Sequence, residues 1–109
     1  GLSAEASVLL AQVAAARDAM ARAAGDVTMA ADELRRHAKF SRPGSPSAHI
    51  VQLRRKQAAA RLNAARARQA FLRTAQHFVH ATGSTVPKGV SLEAFVLEWI
   101  RRADDDETS

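Results

Sequence analysis

Small and apolar residues recur through the first part of the chain in alternating steps of four and three. They are Ala6, Leu10, Val13, Met20, Ala24, Val27, Ala31, Leu34 and Ala38, with Arg17 the one charged residue in the series. The rhythm returns in Leu53, Gln57, Ala60, Ala64, Ala67, Phe71, Thr74 and Phe78. Side chains at this spacing share one side of an α-helix and form a straight seam for a second helix. The pattern therefore predicts two long helices, over about 3–39 and 45–81. Between them, Phe40-Ser41-Arg42-Pro43-Gly44-Ser45-Pro46 reads as a turn. Pro43 disfavours helix at Arg42. Ser45 is the expected N-cap of the second helix, with Pro46 at its first position, where a missing N–H costs nothing.

A third stripe follows Gly83. Leu92, Phe95, Val96, Trp99, Ile100 and Ala103 fall on one face of a short helix over about 91–103, capped by Ser91. Two long helices joined by a short turn pack antiparallel, so residue i of the first faces roughly residue 88 − i of the second. Asp18 then lies near Arg68, Asp26 near Arg61, and Asp32 and Glu33 near Arg54, Arg55 and Lys56. Gly25 interrupts the first helix only chemically: the seam keeps its phase across it, which favours one continuous helix.

The seam is uneven. Its middle is Ala on Ala, and bulk gathers at the open end, away from the turn. The third helix is expected to fold over that end. A thin, Ala-rich shaft also suggests assembly into a larger bundle, and the residues expected at a partner interface are Leu9, Val13, Phe71, Phe78, Phe95 and Trp99.

Composition agrees with an all-α chain: Ala dominates the apolar residues and aromatics are 5%. Its 109 residues suit one domain over 1–103, followed by an acidic flexible tail at 104–109. The net charge is +5, and setting aside the four acids of the last six residues raises it to +9. From Lys39 to Leu92 there is no Asp or Glu. Arg54, Arg55, Arg61, Arg66, Arg68 and Arg73 fall in two rows on the side of the second helix away from the seam. Such a stripe suits phosphate contacts or an acidic protein partner. Aromatics are not interleaved with it, so base stacking is not expected.

Other chemistry is faint. There is no cysteine, hence no disulfide framework and no thiolate metal site. His77 and His80 lie three apart, and Glu33 and His37 four apart with His49 across the turn. Neither group offers the full ligand set a metal needs. No metal, cofactor or small-molecule substrate is expected. No apolar run approaches the roughly 18 residues of a membrane span, and a cytoplasmic chain is the expectation.

Two architectures compare with this layout. Lys39, Arg42 and Pro43, at the end of a long first helix, resemble the arrangement in small all-α chorismate mutases. That family follows its loop with Asp, Arg and Glu in close order. Here the stretch is Ser45-Pro46-Ser47-Ala48-His49, so an enzyme is the outsider. The hairpin with its turn near residue 43 is also similar to small secreted helical hairpins of the WXG type. Phe40-Ser41-Arg42 stands where their Trp-x-Gly does, and the single Trp is Trp99. The leading expectation is a non-enzymatic helical module that self-associates or docks a partner helix. The alternative is a phosphate-backbone-binding protein using the basic second helix.

Overall fold

The computed structural model describes residues 2–39 and 47–108, with side chains up to Asp106. The chain is all-α: α1 (Ala4–Ala38), α2 (Ala48–Thr82) and α3 (Leu92–Thr108). The two long helices form a hairpin and α3 is the short third element. Among the described residues no helix is long and apolar enough to cross a membrane.

Local chemistry sets most of the helix ends. Ser3 caps α1: its Oγ accepts the Ala6 N–H at 3.1 Å and its carbonyl the Ser7 N–H at 2.9 Å. The cap of α2 is Ser47, not Ser45. Its Oγ accepts the Ile50 N–H at 3.2 Å and its carbonyl the Val51 N–H at 3.1 Å. Ser47 stands one residue ahead of the first helical residue, where its hydroxyl reaches the N3 amide, and Ser45 lies outside the described residues. The expected turn, Phe40–Pro46, lies outside the described residues.

α2 ends in a Schellman motif. Gly83 adopts φ +65°, its N–H donates to His80 O at 3.1 Å, and Ser84 N–H donates to Val79 O at 3.2 Å. Thr82 Oγ1 adds bonds to the Phe78 and Val79 carbonyls. The loop then closes on a turn with Val90 N–H donating to Pro87 O at 3.1 Å and Gly89 at φ +84°. Position i+2 of a type II turn needs that left-handed backbone. Ser91 starts α3 by accepting the Ala94 N–H at 3.1 Å.

α3 runs to Thr108, five residues beyond the expected end at Ala103. One pair a turn apart crosses the expected end, Arg101 donating to Asp105 at 2.9 Å, while Arg101 and Arg102 also reach Glu98 one turn earlier, Arg102 at 3.3 Å. The Glu98 carboxyl is held below its ordinary range by the hydrogen bond from Arg101, and Arg101 is raised by the same contact.

The residues divide into two compact units: Gly1–Asp18 with Arg68–Ser109, and Ala19–Ala67. In the first, the start of α1, the end of α2 and all of α3 enclose a bulky core. Val13, Phe71, Ala75, Phe78 and Val96 are fully buried there, and Ala6, Leu10 and Ile100 nearly so. Trp99 lies half-buried with its ring edge-on to Phe78, centroids 5.6 Å apart. Arg68 bridges α2 to α3 through Glu93 at 3.3 Å. The pair is part-exposed and contributes at most about 1 kcal/mol.

In the second unit α1 and α2 face each other alone. Its buried hydrophobic residues, among those described, are Ala23, Ala30, Ile50 and Leu53. Glu33 accepts from Lys56 Nζ at 2.9 Å, and the His37 and His49 rings meet edge-to-face at 4.6 Å. Both pairs obey the expected antiparallel register to within two residues.

The seam of α2 is as expected: all eight of its residues from Leu53 to Phe78 are buried or half-buried. That of α1 departs at two positions. Ala6, Leu10 and Val13 are buried and Met20, Val27, Ala31 and Leu34 half-buried, but Ala24 and Ala38 are exposed, and Ala23 and Ala30 are buried instead. Where α3 is present, α1 must turn a face toward both α2 and α3; Leu10 lines a groove with Ile100 and Ala103. Where α2 is its only neighbour, the buried face is the one turned to α2 alone. Arg17 sits at the change, half-buried, its guanidinium reaching Asp18 at 3.2 Å.

Candidate functional site

Large apolar side chains stay exposed in both units, Val8 and Val90 in the first and Met29 and Leu62 in the Ala19–Ala67 unit. On one flank, Asp26, Met29, Glu33 and Arg36 of α1 and Lys56, Ala59 and Ala60 of α2 line an open groove. Spacings of three and four put these residues on one side of each helix. The floor is Ala because Ala59 and Ala60 are small, and Met29 stands beside it 68% exposed. Glu33 is already engaged: the hydrogen bond from Lys56, and behind it the charge of Lys56, hold its carboxyl below the usual range. Asp26 has no ion pair among the described residues.

The expected pairing of Asp26 with Arg61 does not form, for a reason of angle. At roughly 100° per residue, Arg54 and Arg61 lie on the opposite flank of α2 from Lys56 and Ala59. Asp26 shares the Lys56 flank. Asp18 and Asp32 instead pair within α1, with Arg17 and Arg35. Among the described residues, Glu33–Lys56 is the one ion pair between α1 and α2.

The basic residues of α2 are consequently left over. Arg54, Arg55, Arg61, Arg66, Arg68 and Arg73 are all exposed. Of these six, Arg68 alone has an acid within ion-pair distance among the described residues, Glu93. In the Ala19–Ala67 unit, Arg54 and Arg61 form one row and Arg55 and Arg66 another, about 120° around the helix. Between the rows stand Ala58, Leu62 and Ala65, all exposed, Leu62 by 52%.

The apolar cluster of the other unit has a different fate. Val13, Phe71 and Phe78 are fully buried, and Leu9, Phe95 and Trp99 half-buried. α3 completes this core, so the first three are internal packing and offer no surface to a partner. His77 and His80 are exposed. Among the described residues no group of three or more His, Cys, Asp or Glu is placed to hold a metal ion.

Sequence reasoning missed the Met29 groove and the Arg68–Glu93 bridge. The signal for the first was present in Met29, Ala59 and Ala60, but it requires knowing which face of α1 is buried. The second depends on where α3 lies. Compared with family models, curated proteins and solved structures, the chain matches none.

Proposed function

We propose that this protein is a non-enzymatic helical interaction module, and that the Ala19–Ala67 unit docks a second copy or a partner helix. The observation that carries this is the thinness of that unit. Among the described residues, its buried hydrophobic set is two alanines, one isoleucine and one leucine, while Met29 and Leu62 remain largely exposed. Apolar burial contributes about 25 cal/mol per Å², and ordering each residue costs about 1–2 kcal/mol. Alanine layers return little against that cost, and a further helix along Met29, Ala59 and Ala60 would add the missing area. Sedimentation velocity at micromolar concentration tests the reading. The expected result is a dimer or larger species that Met29→Glu shifts toward monomer. A stable monomer that melts in one cooperative step, and that retains no binder of the Met29 face, would overturn it.

A second reading rests on a separate observation: Arg54, Arg55, Arg61, Arg66 and Arg73 are exposed, with no acid within ion-pair distance among the described residues. Unpaired arginines in register along one helix suit a phosphate backbone, with affinity falling steeply as salt rises.

A further inference from the structure

The arrangement of the two arginine rows carries the phosphate-binding reading further. We infer that α2, through its Ala19–Ala67 portion, seats in the major groove of double-stranded DNA, with the rows contacting phosphates of opposite strands. The inference rests on that second reading and adds a geometry to it.

Four observations combine. The rows are separate: Arg54 and Arg61 lie within about 20° of each other, as do Arg55 and Arg66, and about 120° divides the pairs. The ridge between them is narrow and uncharged, built from Ala58, Leu62 and Ala65. All seven residues are exposed, and α1 covers the opposite face. No acid stands anywhere on α2 to repel a phosphate.

A helix with its side chains is about 10–12 Å across, and the major groove of B-DNA is about 12 Å wide and 8.5 Å deep. A ridge of alanines keeps the helix slim where it must enter. The flanking arginines are long enough to reach outward to both groove walls. Arg54 to Arg66 spans about 18 Å at 1.5 Å per residue. The ridge has no amide, carboxylate or guanidinium to read base edges, so recognition is by shape and charge, independent of sequence. The major groove of A-form RNA is too deep and narrow to admit the helix. An anionic bilayer fits less well, because Leu62 is the one large apolar side chain on the ridge and an interfacial helix needs a broad apolar face.

Polarisation binding of a labelled 16-base-pair DNA duplex, the equivalent RNA duplex and single-stranded DNA, at 50 and 200 mM salt, tests this. The DNA duplex is expected to bind at least about tenfold tighter than the RNA duplex, with a log–log salt slope of about −3.6 for four phosphates. Arg61→Ala and Arg66→Ala, one from each row, should each make the slope shallower by about 0.9. Ala58→Met with Ala65→Met, which widen the ridge without adding a ring on which a base could stack, should remove the preference for the DNA duplex while leaving single-strand affinity unchanged. Leu62→Gln is the second ridge variant, neutral so that the phosphate contacts are untouched, and circular dichroism checks that each remains helical. Equal binding of all three nucleic acids, unmoved by either ridge variant, would overturn the groove inference and leave the phosphate reading standing. Absence of binding to any of them at 50 mM salt would remove both, as would binding confined to phosphatidylserine vesicles.

Discussion

The two units are built from the same pair of long helices but solve the burial problem differently. Where α3 is present, two phenylalanines, valines and an isoleucine close a core that excludes solvent. Where α1 and α2 face each other alone, alanine meets alanine and the large side chains Met29 and Leu62 stay outside. The first unit thus has what a stable core needs, and the second has surface to spare. Both units keep some large apolar surface exposed, Val8 and Val90 in the first and Met29 and Leu62 in the second, but only the first also closes a bulky core.

The sharpest way to break this comparison is in the cores. Phe78→Ala should cost about 3–5 kcal/mol in chemical denaturation, since it empties a fully buried site and removes the edge contact with Trp99. Leu53→Ala should cost about 2 kcal/mol, the low end for such a truncation, because the buried set of its unit, among the described residues, is otherwise only Ala23, Ala30 and Ile50. Equal losses would erase the distinction between the units. Native-state hydrogen exchange reads the same contrast without mutation. Amides of Phe71–Phe78 should exchange far more slowly than those of Ala58–Ala65, since opening free energy follows local burial.

Smaller effects refine the second unit. Gly25→Ala should raise stability by about 1 kcal/mol, as glycine inside a helix costs about that much against alanine. A Cβ at that position meets nothing within 4 Å, so a loss of stability would show that the helix is constrained there by something other than its own backbone.

The mildest test is acid. The Glu33 carboxyl is depressed in the folded chain by Lys56. A depressed carboxyl contributes stability that is present above its unfolded value and fades as pH falls through the folded one. Thermal melts followed downward through and below the usual carboxylate range should therefore lose this contribution. In Glu33→Gln the same titration should be flatter, by an amount limited by the exposure of the pair.

Much of this architecture was written in the order of residues alone. Spacings of three and four are geometric properties of an α-helix, so the existence of α1, α2 and α3, the seam of α2 and the cap Ser91 could all be read without coordinates. The exposure of the arginines on α2 followed as well, because the seam dictates which side is left outside.

What could not be read concerns relations between helices. Whether α1 buries Ala23 or Ala24 depends on how many neighbours it has at that level, and both residues are alanine. Which acid meets which base depends on the flank each occupies, and a rotation of one residue moves a side chain by about 100°. Asp26 missed Arg61 for that reason, while Glu33 found Lys56. Local periodicity determined that there would be helices and what each would hide. Only the packing of three bodies against one another decided the angle at which each helix presents its remaining face.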